Sequence, residues 1–142
     1  MAYATVDDMA RRFGSNEMIR LTTPADQDLD GIVEDVARAA LETATATIDS
    51  YVRRRYRTPL DVAPPEIVAR CCEIARYELS TGDLKTTGEE VRLRYKDAIA
   101  WLTDISNGRV VLDLEEVSTD VQSYAMTSTR EGRDAPYGRG VF

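Results

Sequence analysis

The chain contains no histidine, and this absence excludes more chemistry than any residue present supplies. Histidine is the side chain that most readily exchanges protons near neutral pH, and it is the commonest transition-metal ligand. Without it, Ser-His-Asp hydrolysis, histidine-dependent nuclease chemistry and most zinc sites have no basis. Long apolar runs are missing as well. The longest are a few residues, against the roughly 18 that a membrane span requires. The opening MAYATVDDMARRF sets acids where a secretory signal carries bases and has no apolar stretch, so a cytosolic protein without membrane contact is expected. Cysteine is limited to the adjacent pair Cys71 and Cys72, whose spacing on a helix is wrong for a mutual bridge, and both read as reduced thiols. Basic residues are also in deficit: 18 Lys and Arg against 25 Asp and Glu give a net charge of −7. A surface so acidic does not neutralise phosphates over its whole extent.

What is present suits a folded domain. With 142 residues, 43% hydrophobic and 30% charged, the chain is long enough for one modest core and too short for two. Periodicity places helices along most of it. Thr5 is positioned to cap a first helix through the N–H near Asp8, with Val6, Met9 and Phe13 apolar and Gly14 as the stop. Ser15 follows as a second cap, with Met18, Ile19 and Leu21 turned inward up to the break at Thr22-Thr23-Pro24. From about residue 30 to 55, Ile32, Val36, Ala40, Ala44, Ile48 and Val52 recur every four positions, widened by Val33, Ala37 and Leu41, and predict a long central helix. Its acids cluster at the N-terminal end and its arginines at the other, as the helix dipole favours. The alanines at 39, 40, 44 and 46 suggest close helix approach.

Prolines 59, 64 and 65 bracket an extended connector. The next helix reads from about 65 to 80, with Val68, Cys72, Ala75 and Leu79 on one face. The last reads from about 88 to 106, with Val91, Tyr95, Ala98, Leu102 and Ile105 at regular spacing and Asn107-Gly108 as a left-handed stop. The expected architecture is all-α: an antiparallel bundle of about four to five helices over residues 1–108, followed by an extended C-terminal arm over 109–142. Within that arm, Val110, Leu112 and Leu114 alternate as a short strand would. Beyond residue 118 the composition turns polar, with Tyr124, Met126, Tyr137, Val141 and Phe142 scattered through it.

Candidate sites are few. Asp26, Asp28, Asp30 and Gly31 imitate the first half of a calcium loop, but the twelfth position, which must give a bidentate carboxylate, is Ala37. The reading preferred for residues 26–31 is a solvated acidic loop. Arg53, Arg54, Arg55 and Arg57 surround Tyr56 in the one dense basic cluster. Such a cluster either holds phosphate or nucleic acid, or satisfies helix-terminal carbonyls and pairs with carboxylates of neighbouring helices or subunits. The second reading is favoured. Glu89-Glu90 and Glu115-Glu116 are each adjacent in sequence and read as solvated charges rather than acid–base pairs. Tyr77, Tyr95 and Trp101 read as core or interface residues. No nucleophile has an identifiable base, so no catalytic, metal or cofactor site is expected.

Taken in order, these segments resemble the Mu-like neck or head-completion family of small phage proteins, which is similar in fold to the head-tail adaptors of tailed phages. The resemblance is carried by the opening Met1 to Met9 leading into Arg12-Phe13-Gly14 and by Ile48-Asp49-Ser50-Tyr51-Val52 with Arg55-Tyr56 and Pro59-Leu60. It continues through Pro64-Pro65, Cys72-Glu73-Ile74-Ala75-Arg76-Tyr77-Glu78-Leu79, and Arg94-Tyr95-Lys96-Asp97-Ala98-Ile99-Ala100-Trp101-Leu102, spanning about residues 1 to 115. It implies a virion neck protein, in the host cytoplasm during assembly, that forms a ring, usually of twelve copies, beneath the portal protein. Such a ring extends the channel that phage DNA passes through and docks the head-closure or tail-side protein. Under that reading Tyr124, Met126, Arg133, Tyr137, Arg139 and Phe142 are expected to anchor the arm on the portal or a neighbouring subunit, and Arg53, Arg54, Arg55 and Arg57 to make intersubunit charge contacts. The alternative is a small helical nucleic-acid-binding regulator using the same arginines.

Overall fold

Apolar residues recurring every three or four positions fold the chain into five helices: α1 (Val6–Phe13), α2 (Ser15–Thr22), α3 (Glu34–Val52), α4 (Pro65–Ser80) and α5 (Glu89–Ser106). The computed structural model describes residues 1–82 and 87–116. Among these residues no strand forms, and the all-α expectation holds.

Local signals set the first corner. The Thr5 hydroxyl accepts from the Asp8 N–H at 3.1 Å while the Asp8 carboxylate accepts from the Thr5 N–H at 2.9 Å, a reciprocal capping box. Gly14, at φ +92°, ends α1 and begins α2 in a conformation that a Cβ would strain. Ser15, expected as a cap, is instead the first helical residue, and no side chain caps α2. Met9 and Met18 enter the core completely, whereas Ile19 and Leu21 are only half-buried.

The central helix is shorter than its periodicity predicts. Residues 30 to 33 stay outside it because the Thr22 hydroxyl takes the Val33 N–H at 3.0 Å, holding that residue extended. At the other end the N–H groups of Arg55 and Tyr56 both turn back to the Val52 carbonyl, closing the helix before the arginine cluster. The buried face also differs. Ala37, Leu41 and Thr45 line the core with Ala40, Ala44, Ile48 and Val52, while Val36, Ala39 and Ala46 face solvent. A helix with small residues on both flanks carries too weak an apolar contrast for sequence alone to fix its rotation.

α3 packs most extensively on α4, and α5 lies against both. Alanines 37, 40 and 44 of α3, with Cys71, Cys72 and Ala75 of α4, form a seam of small buried side chains, which allows close approach. The expected α4 face is buried at Cys72, Ala75 and Leu79 and only partly at Val68, and it is widened by Ile67, Cys71 and Ile74, which are fully buried. α5 contributes Ala98, Leu102 and Ile105, while Val91 and Tyr95 lie half-exposed toward its N-terminal end. There Tyr95 stacks on Tyr77 of α4 with ring centroids 3.9 Å apart.

Polar contacts fix how the helices sit. Arg76 of α4 grips Glu17 of α2 with two 2.8 Å hydrogen bonds and covers the Phe13 ring at 4.4 Å. Glu73, buried on α4, pairs with Arg70 at 3.2 Å and with Arg94 of α5 at 3.6 Å. Tyr3 ties the N-terminal residues to α3: its N–H donates to the Thr45 hydroxyl at 3.0 Å, and its own hydroxyl donates to Asp49 and accepts from the Leu60 N–H at 2.9 Å. Burial and the Asp49 hydrogen bond push the Tyr3 phenol up to about 12. Burial likewise raises both thiols, Cys72 to about 12, and both are free.

Candidate functional site

The arginine cluster and the segment that follows α5 meet at one end of the bundle. They meet there because α3 runs toward that end, the short connector turns into α4, and α5 returns antiparallel to α4. Residues 53 to 55 form a turn, and the four arginines fall into three environments. The Arg53 Nε donates to the Asp49 carbonyl at 3.1 Å, satisfying a helix-terminal oxygen. Arg54 and Arg57 are exposed and have no partner among the described residues. Arg55 is half-buried and turned inward. Its Nη2 donates to the Glu116 carboxylate at 2.7 Å, and its buried Nε has no hydrogen-bond partner.

Glu116 was expected to be solvated beside Glu115, and the structure corrects this. Glu115 is exposed, but the Glu116 side chain is only 19% exposed and is held by Arg55 across 61 residues of sequence. Tyr56 and Glu116 also form an isolated antiparallel bridge. The tyrosine in the basic cluster is 1% exposed, so its ring is core and cannot stack on a base. Its hydroxyl oxygen accepts the Leu112 N–H at 2.8 Å. Residues 109–114 thus form no strand, yet their alternation is real: Val110, Leu112 and Leu114 pack toward the bundle while Arg109, Val111 and Asp113 face solvent.

Gly108 makes this arrangement possible. The N–H groups of Arg109 and Val110 return to the Asp104 carbonyl, and Gly108 turns the chain at φ +82°. A Cβ at Gly108 would run into the Arg55 guanidinium. The left-handed stop expected at Asn107-Gly108 is therefore present, and it serves a second purpose by making room for the arginine. Sequence reasoning found the arginines and the alternating segment but missed that Tyr56, Leu112 and Glu116 join them. Tyr56 could have been suspected as an aromatic inside a charged run; nothing local marks Glu116.

The proposed anchors Tyr124, Met126, Arg133, Tyr137, Arg139 and Phe142 lie outside the described residues. The described chain stops at the clamp itself. Beside it lie two contiguous grooves that share Leu114. One, of about 330 Å³, runs between Tyr56, Arg57, Leu60, Asp61 and Glu115. The other, of about 630 Å³, is floored by Val62, Pro64, Pro65, Trp101 and Val111. Among the described residues no group of three or more Cys, Asp and Glu converges as a metal would need, and no helix is long and apolar enough to cross a membrane.

Fold and site together define a small helical scaffold whose last described segment is clamped to one end by an arginine and a tyrosine. The sequence pattern of the family described as bacteriophage Mu, Gp36, matches residues 3–130. The chain is 34% identical over 110 residues to gene product J of Escherichia phage Mu, covering 77% of this chain and 74% of that protein. It is 32% identical over 122 residues to the Mu-like prophage FluMu protein gp36 of Haemophilus influenzae, covering 85% and 82% respectively. The chain is a phage protein and belongs to the Mu Gp36 family.

Proposed function

We propose that this protein is a non-enzymatic component of the virion neck, a head-tail adaptor that assembles as a ring of about twelve copies beneath the portal, as its resemblance to head-tail adaptors implies. The observation that carries this reading is the clamp at residues 55–56 and 108–116. It holds the chain at one end of a rigid helical platform, so that residues 117–142 set out from a defined point toward a partner. A docking arm gains affinity when its root is fixed, because less freedom is lost on binding. Tyr137 and Phe142 serve as its aromatic anchors, joined by Tyr124, Met126, Arg133 and Arg139. The exposed Arg54 and Arg57 meet carboxylates on an adjacent copy or on the portal, and Arg53 lies beside them. Arg55 serves the fold instead. The net charge of −7 suits a channel wall over which DNA slides without adhering.

The exposed, unpartnered state of Arg54 and Arg57 also favours a second reading, a nucleic-acid-binding regulator. That reading is weakened by the burial of Tyr56. It requires salt-dependent affinity of the isolated protein for DNA, where the adaptor reading requires almost none at physiological salt.

Phage carrying a deletion of residues 117–142 provide the test. Full heads that fail to acquire tails, with density for the intact protein in the necks of wild-type particles by electron cryomicroscopy, are expected. Normal particles from the deletion, or wild-type necks that lack the protein, would sink the proposal.

A further inference from the structure

The groove of about 630 Å³ between the connector, α5 and the last described segment has an unusual make-up for a free surface. Val62, 71% exposed, and Val111, 65% exposed, line it together with Trp101. Its only charged lining residues are Glu66 and Asp113; both are exposed and neither has an ion-pair partner among the described residues. Asp61 and Glu115 extend the acidic rim along the adjoining groove, where Arg57 is the sole cation. An apolar floor with carboxylates at its edge selects an occupant that brings large apolar side chains together with a positive charge.

The chain supplies such a segment itself. Its final residues, Tyr137-Gly138-Arg139-Gly140-Val141-Phe142, hold two aromatics, a valine and an arginine, with glycines that let the backbone approach closely. We propose that residues 137–142 seat in this groove of their own chain while the subunit is unassembled. Tyr137, Val141 and Phe142 cover Val62, Trp101 and Val111, and Arg139 meets Glu66 or Asp113. Twenty residues, 117 to 136, separate the clamp at Glu116 from Tyr137, and one wall of the groove is built from residues 110–114 just upstream. A random-coil segment of twenty residues spans on the order of 20–25 Å on average, enough to double back, which corresponds to an effective concentration near millimolar. A second copy at micromolar concentration competes poorly against that. The contact rests on the reading of the tail as a docking arm: covering its anchors until the assembly partner displaces them keeps free subunits from sticking to one another.

Trp101 is the only tryptophan and reports on the groove directly. In the full-length protein, Val141→Asp with Phe142→Asp should shift Trp101 emission to the red and raise its quenching by acrylamide roughly twofold or more, as an indole leaves a covered groove for water. Unchanged emission and quenching would overturn the proposal. A second measurement does not depend on fluorescence. Val111→Cys with Phe142→Cys, oxidised by glutathione disulfide at micromolar protein, should form an intramolecular disulfide and migrate as a compact monomer. Native Cys71 and Cys72, fully buried, do not compete. Covalent dimers and ladders would show that a neighbouring copy's tail fills the groove, and absence of any cross-link would show that the tail does not reach it; either result refutes the contact within one chain. The two readings fail separately: necks without this protein defeat the adaptor role but leave the cross-link intact, whereas a missing cross-link with normal necks defeats only the groove contact.

Discussion

The α3–α4–α5 seam and the clamp at the arginine end hold their parts together by different physics. The seam is built from buried side chains that are almost all apolar, such as Ala44, Ile48, Ile74 and Leu102. The clamp depends on one buried tyrosine hydroxyl, one half-buried ion pair and a glycine that leaves space for a guanidinium. Apolar packing is non-directional and adds up over many atoms, so it stabilises a platform but does not dictate where a chain leaves it. Directional hydrogen bonds contribute little net energy each but select one path.

Mutations can separate the two regions. The largest effect is expected in the seam: Leu102→Ala should cost about 2–5 kcal/mol, because the side chain is fully buried and leaves a cavity. Urea unfolding followed by helical circular dichroism would read this, and a loss below 1 kcal/mol would mean that the seam is not the main source of stability. The fold also has an alkaline weakness. Tyr3 and Cys72 have folded-state pKa values raised to about 12, above ordinary values of 10.0 and 9.0. Both groups ionise first in the unfolded chain, so their stability contribution is complete below about pH 9 and is lost as the pH rises toward 12. The urea midpoint should fall through that window, and Cys72→Ala should flatten its first part, between pH 9 and 10.

In the clamp, Tyr56→Phe should cost about 1–3 kcal/mol by leaving the buried Leu112 N–H without an acceptor. Its distinguishing sign is faster hydrogen exchange at residues 110–116 with little change in α3 or α4. Uniformly faster exchange throughout would show that clamp and seam are a single cooperative unit. Gly108→Ala should lose about 1–2 kcal/mol from the positive φ, with part of the loss appearing as a displaced Arg55 and a weakened pair to Glu116. The smallest change is expected from Glu116→Gln, about 1 kcal/mol or less, since the pair retains some solvent screening. That variant should still raise protease sensitivity just after the clamp. A seam-sized loss would mean that the ion pair holds the platform as well as the exit path.

How much of this was legible beforehand follows from the range of the interactions involved. The reciprocal cap of Thr5 and Asp8 is settled within four residues, and the stops at Gly14 and Gly108 are settled by the absence of a Cβ; these were readable in sequence. The ends of α3 were not, because Thr22 decides one of them from eleven residues away. The rotation of α3 was misjudged at Val36 and Ala46, where periodicity permits more than one face and only contact with α4 and α5 chooses. Arg55 could not be told from Arg54 or Arg57 in the sequence. Its inward turn depends on Glu116, and no local pattern links residues 61 positions apart.

By itself, then, the sequence determined the helices, the Thr5 cap, the stops at Gly14 and Gly108, the absence of histidine chemistry and the phage family to which the chain belongs. These properties reside in short segments or in composition, where each residue acts through its own backbone preference or side-chain chemistry. Tertiary structure alone decided how far each buried face extends, which arginine serves the fold and which remain exposed, and how residues 109–116 are held against the bundle. Those choices depend on groups brought together only after the helices pack, when burial makes an unpaired hydroxyl, amide or carboxylate costly and so admits one arrangement.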